Sequence, residues 1–152
     1  MKLYINVFIV ILLFVSFTAC NNKKTNYEIS TVEEVNTLSG VSFEVENNSY
    51  TKDVENITAK FVNSTDNEYM YGESYSLEYL DNDIWVVVPF KNACWEDIGY
   101  ILDIQSTAEI IYNIKDNFGS LQSGKYRIIT HITDMTNSNK EKYNLAAEFD
   151  IE

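Results

Sequence analysis

Histidine occurs once in this chain, at His131, arginine once, at Arg127, and proline once, at Pro89; cysteine occurs only at Cys20 and Cys94. These shortages remove whole classes of chemistry. Zinc sites are built mainly from Cys and His ligands, which are too few here. A nucleophile triad needs a histidine with a nucleophile and an orienting carboxylate beside it. His131 and Arg127 instead fall on the outward alternation of one strand, where solvated side chains are the simpler reading. The five glycines form no phosphate-cradling loop. Asp81-Asn82-Asp83 lacks the acidic ladder and terminal Glu of an EF-hand loop, which leaves at most a weak calcium site in loops. Carboxylates are plentiful enough for paired-carboxylate hydrolysis, yet they alternate onto solvent faces of short strands with no sign of a cleft. Glu96-Asp97, beside Trp95, is the only adjacent acidic pair next to an aromatic segment. The chain therefore reads as non-enzymatic and without a cofactor or metal.

Positive charge is also scarce, and this bounds the partners. Eleven Lys and Arg face twenty-three Asp and Glu, a formal net charge of −12. Nucleic-acid binding rests on phosphate neutralisation by Lys and Arg, so that class is excluded. Anionic headgroups are disfavoured for the same reason, while solubility and mutual repulsion, hence a monomeric domain, are favoured.

Long apolar runs are missing except at the start. Lys2 precedes an apolar stretch broken only by Asn6 and Ser16, which ends in Phe17-Thr18-Ala19-Cys20. This arrangement resembles the leader and lipobox of bacterial lipoproteins, with Phe17 where Leu is usual. The resemblance implies cleavage before Cys20, lipid on its sulfur, and anchoring on the extracytoplasmic face of a bacterial membrane. Two acyl chains suffice for stable anchoring. The apolar run is short for an uncleaved span, which takes about 20 residues. Loss of Lys2 with the leader would bring the net charge to −13. With Cys20 acylated, Cys94 has no intramolecular partner, and beside Trp95 it reads as a buried, inert thiol.

The organisation expected is a leader over 1–19, a lipidated end and flexible tether over 20–39, and one domain over 40–152. A coil-like tether of this length would hold the domain roughly 25 Å from the membrane. The domain length suffices for an ordinary core. From Gly40 onward the pattern has period two. Val41, Phe43 and Val45 alternate with polar residues, as do Ile57, Ala59 and Phe61. Residues 69–80 read as one long strand bent at Gly72, with Tyr75, Leu77 and Tyr79 on one face. Asp81-Asn82-Asp83 reads as a hairpin loop into Ile84-Trp85-Val86-Val87-Val88, which Pro89 ends. Four further strands follow: Ile98, Tyr100, Leu102 and Ile104; Ala108, Ile110, Tyr112 and Ile114; Tyr126 to Ile132; and Tyr143 to Ile151. Seven to eight strands without helical crossovers predict an all-β antiparallel sandwich.

Leu121-Gln122-Ser123-Gly124-Lys125-Tyr126 is the most informative stretch. A Tyr just after a Gly turn, opening a late strand, resembles the tyrosine corner of immunoglobulin-like sandwiches. Ile128 stands where antibody domains carry a cysteine. Together with Gly40 to Glu46, Tyr71 to Glu78, Trp85 to Pro89 and Gly99 to Leu102, the chain resembles bacterial Ig-like domains of small envelope lipoproteins. The resemblance implies an Ig-like β-sandwich on a lipid anchor and carries no catalytic residues. One departure is Asp-Asn-Asp where a Gly is common before Trp85.

The aromatics remain. Tyr69, Tyr71, Phe90, Trp95 and Tyr100 lie near strand ends and loops, where sandwiches place binding surfaces. Tyr and Trp are favoured at interfaces. They form the candidate surface for an envelope protein or wall polymer. A second reading is an inhibitor of an envelope or host hydrolase, acting through the aromatic segment 90–95.

Overall fold

Alternation decides which side chains meet. Val41 and Phe43 in β2 (Val41–Val45) and Ile57, Ala59 and Phe61 in β4 (Asn56–Asn63) are buried, and Phe43 pairs with Phe61 at 4.7 Å between ring centroids. The computed structural model describes residues 27–92, 98–136 and 138–152. Cys20, Cys94, Trp95 and Glu96-Asp97 lie outside them. The other strands are β1 (Glu28–Ile29), β3 (Ser49–Tyr50), β5 (Tyr69–Gly72), β6 (Ser76–Asp81), β7 (Ile84–Val88), β8 (Gly99–Leu102), β9 (Ser106–Asn113), β10 (Gly124–Asp134) and β11 (Lys142–Ile151). Among the described residues one short helix, α1 (Ile114–Phe118), follows β9 and is capped by Asn113, whose side chain accepts from Asp116 N.

Two sheets form the sandwich. One runs β2-β4-β9; the other runs β1-β7-β6-β10-β11-β3. Every pairing is antiparallel except β11 with β3. The predicted 69–80 strand is two strands. β10 pairs with β6 through Tyr126–Ile129 and with β5 through Ile132–Asp134. Thr130 spans the break, its hydroxyl donating to Ser74 O at 3.2 Å. β5 also carries β8 on its far side.

The core between the sheets includes Ile57, Phe61, Leu77, Ile128, Ile132 and Leu145, all fully buried. Each such side chain contributes about 1.5–3 kcal/mol of transfer free energy. Tyr126 sits at the corner position: its ring stacks on Phe149 at 5.9 Å and its hydroxyl donates to Gln122 O at 3.1 Å.

Three expectations need correction. Residues 27–36 do not behave as tether; they form a strap across the outer face of the larger sheet. β1 pairs with β7, Ser30 Oγ donates to Glu78 Oε1 at 2.6 Å, and Asn36 binds both Ala146 N and Ala146 O at 2.9 Å. Arg127 is accordingly not solvated but buried, ion-paired with the equally buried Glu78 beneath the strap. In β8 only Leu102 is buried, whereas Tyr100 and the flanking Ile98 and Ile104 are exposed, because this short strand hangs at the sheet edge with little opposite it.

Candidate functional site: an aromatic cleft beside a sheet edge

Where β5 and β8 overhang the smaller sheet, the sandwich does not close against β9. The result is a cleft of about 510 Å³ with Tyr71, Glu73 and Tyr100 on one lip and Glu109 and Ile111 on the other. Each wall follows from local register. Tyr71 and Tyr100 are directly paired across β5 and β8, so their rings lie on one face, 5.5 Å apart. Phe61 then receives Tyr71 at 4.6 Å, anchoring the row in the core. Tyr100 projects past that anchor, and its hydroxyl donates to Glu73 Oε1 at 2.8 Å.

Tyr75 and Tyr112 form the floor, with ring centroids 4.3 Å apart. The Tyr75 hydroxyl donates to Asn113 O at 3.3 Å and accepts from Asn117 Nδ2 at 2.9 Å. Burial pushes the Tyr112 phenol far above its ordinary range. Tyr75 is raised by burial, which the Asn117 hydrogen bond opposes, and Tyr71 is raised by burial alone. Phenols held this firmly protonated are hydrogen-bond donors and ring surfaces, not nucleophiles. The cleft is equipped for recognition of apolar groups with a few polar anchors.

The predicted surface residues separate. Tyr71 and Tyr100 meet in the cleft. Tyr69 is only 1% exposed and belongs to the core, because its position in β5 turns it between the sheets. Phe90 packs inward on Phe118 at 4.5 Å and Tyr75 at 5.4 Å. Trp95 lies outside the described residues. Sequence reasoning missed Glu73, Tyr75, Tyr112 and Asn117. Tyr75 and Tyr112 alternate like ordinary core positions, and nothing local marks that one sheet stops beside them.

His131 is half-buried in a neighbouring depression with Lys142, and burial followed by the Lys142 charge lowers its pKa. Among the described residues no three His, Cys, Asp or Glu side chains are grouped to hold a metal ion.

Comparison with known proteins bears on the fold. A search of curated proteins finds no significant match. Among solved structures, the sporulation control protein Spo0M of Bacillus subtilis is similar at 7% identity and TM-score 0.41, over 76% of this chain and 50% of that one. The chain thus spans about half the length of Spo0M. Self-complemented MyfA, the major subunit of Myf fimbriae from Yersinia enterocolitica, is similar at 13% identity and TM-score 0.40, over 74% and 98%. The ASH/PapD-like domain of human CEP192 is similar at 13% identity and TM-score 0.38, over 82% and 96%. The family model described as a bacterial Ig-like domain matches residues 37–150, three-quarters of the sequence and all of both sheets except the strap strand and the last residue of β11. The chain belongs to the bacterial Ig-like domain family.

Proposed function

We propose that this is a non-enzymatic envelope lipoprotein, anchored through Cys20, whose Ig-like domain binds another protein through the Tyr71–Tyr100 cleft. The observation that carries the binding reading is the cleft itself, a tyrosine-lined opening left where two sheets fail to close. Many cell-surface domains share this sandwich, which supports a contact role by fold-level analogy only. The lipobox at Phe17-Thr18-Ala19-Cys20 supports the anchor, and the acidic composition supports a protein partner over nucleic acid or an anionic surface. The second reading, inhibition of a hydrolase through residues 90–95, has against it that Phe90 packs inward on Tyr75.

Two measurements test the proposal. Expressed in a bacterium fed an alkyne fatty acid, the full chain should take up label, and Cys20→Ser should lose the label and leave the membrane fraction. Crosslinking on intact cells should give a discrete adduct that Tyr100→Ala removes. Label without any Tyr100-dependent adduct would keep the anchor and remove the cleft as the binding surface.

A further inference from the structure

The cleft has one wall made of backbone. Glu46 N donates to Thr58 O, so the even residues of β4 direct their backbone groups to β2 and the odd ones to β9. Ile57, Ala59, Phe61 and Asn63 therefore hydrogen-bond with Tyr112, Ile110, Ala108 and Ser106. The remaining β9 residues, Thr107, Glu109, Ile111 and Asn113, direct their N–H and C=O groups to the open side. Asn113 O shows this orientation directly, since it accepts from Tyr75 at the cleft floor. Among the described residues no strand pairs with β9 on that side.

Open edges are usually blunted by Pro, Lys, a bulge or a covering segment. In the larger sheet β1 covers β7, and Asn36 and β3 cover β11, while β8 is a four-residue edge paired only with β5. Among the described residues β9 has no Pro, Lys, bulge or covering segment, and Glu109 is its one charged residue. Its eight residues pair in unbroken register and read Ser-Thr-Ala-Glu-Ile-Ile-Tyr-Asn. Ile98, Tyr100, Ile101, Ile104 and Ile111 account for five of the seven exposed large apolar side chains among the described residues, and all lie on β8, its flanks or β9. Ile111 is 68% exposed. Of these, Tyr100 and Ile111 line the cleft, where an incoming chain would cover them, whereas Ile101 alternates with Tyr100 onto the other face of β8.

Resting on the cleft reading above, we infer that the partner enters as an added β-strand, hydrogen-bonded along Thr107, Glu109 and Ile111. Alternate side chains of that strand enter the cleft among Tyr71, Tyr75 and Tyr112, so they are apolar or aromatic. The chemistry of the others follows from charge. Glu73 and Glu109 stand on the two lips, no Lys or Arg among the described residues lines the cleft, and the chain carries −12 overall. The partner segment therefore carries Lys or Arg at the positions facing those carboxylates. A second copy of this chain fits poorly, because β9 against β9 would bring together two strongly acidic bodies, each with Glu109 at the seam.

The test begins with selection of linear peptides from a random phage-displayed library on the full chain. Selected sequences should alternate apolar with basic residues. A synthetic selected peptide should slow amide exchange at Thr107, Glu109 and Ile111, leaving Ala108, Ile110 and Tyr112 as protected as before. Methylating alternate peptide nitrogens should abolish binding in one phase of the alternation and spare it in the other, independently of any protein variant. Ile111→Pro, which removes one outward N–H and no β4 bond, should weaken binding about tenfold, in proportion to one backbone hydrogen bond. Glu109→Lys should shift selection from basic to acidic peptides. Peptides that need Tyr100 but leave those amides and the methylation pattern unaffected would overturn strand addition while keeping the cleft. No enrichment over the Tyr100→Ala chain would overturn both.

Discussion

Arg127, the chain's single arginine, places Nε and Nη2 at 2.7 and 2.6 Å from one oxygen of Glu78, with its guanidinium 4.4 Å from the centre of the Trp85 ring. Ser30 satisfies the other carboxylate oxygen. The pair is thus closed over by a strap that lies far upstream in sequence. Two buried charges need each other: removing one leaves the other desolvated without compensation. Arg127→Ala and Glu78→Ala should each lower stability by about 3–5 kcal/mol. Arg127→Met combined with Glu78→Leu should recover most of that loss, because it leaves no buried charge. Urea denaturation of the four chains measures both effects.

Asn36 provides the strap's other fixed point. Its amide acts as a one-residue strand, accepting from Ala146 N and donating to Ala146 O. Asn36→Ala should cost about 1–2 kcal/mol, the cost of leaving a largely buried backbone pair unsatisfied. Faster amide exchange at Ala146, with β10 unchanged, would locate the loss at the β11 edge. If exchange rises along the whole of 27–36, the strap releases as a unit.

The strands were legible because most of the sandwich obeys a one-faced rule. Val41 to Val45 and Ile57 to Phe61 alternate because one side meets the core. The rule fails where a face has an unexpected neighbour or none. Arg127 and Glu78 alternate outward, and only the long-range return of 27–36 makes that outer face an interior. Ile98, Tyr100 and Ile104 alternate like core residues, but β8 extends beyond the opposing sheet and leaves them exposed. Tyr71 and Tyr100 were recognisable as aromatics near strand ends. Their meeting with Tyr75 and Tyr112 depends on where β9 stops being covered, which is a property of sheet order and not of any local pattern.

Buried phenols make stability depend on alkaline pH. Tyr112 and Tyr126 are both raised from the ordinary value of 10.0, chiefly by burial. A group whose folded pKa lies above its unfolded pKa contributes stability that is fully present below the unfolded value. That stability is lost as pH rises through the folded value, because the unfolded chain ionises first. Each such phenol should therefore lower stability by about 1.4 kcal/mol per pH unit above roughly pH 10. Urea midpoints should be flat with respect to these groups from neutral pH to about 9.5, then fall. Tyr112→Phe should make the fall shallower; an unchanged slope would mean that Tyr112 ionises in the folded state.

The turn before Trp85 offers a gain in stability. Asp81 pairs directly with Ile84, so Asn82 and Asp83 alone make the loop, and both have positive φ, at 49° and 65°. Two consecutive left-handed residues are the geometry of a type I′ hairpin, whose twist matches the strands it joins. Asn tolerates the first position well, but the second is the one that Gly favours. The β-carbon of Asp83 is therefore held in a strained region, which costs L-residues about 1–2 kcal/mol before the greater freedom of unfolded Gly offsets part of it. Asp83→Gly should raise stability by about 0.5–1 kcal/mol and leave the cleft unaltered, since β6 and β7 lie away from β9. Asn82→Val should lower it by more than that, because a β-branched side chain is poorly tolerated at positive φ. Thermal melting of both variants settles the turn: a fall for Asp83→Gly would mean that the carboxylate, not the backbone angle, governs this loop.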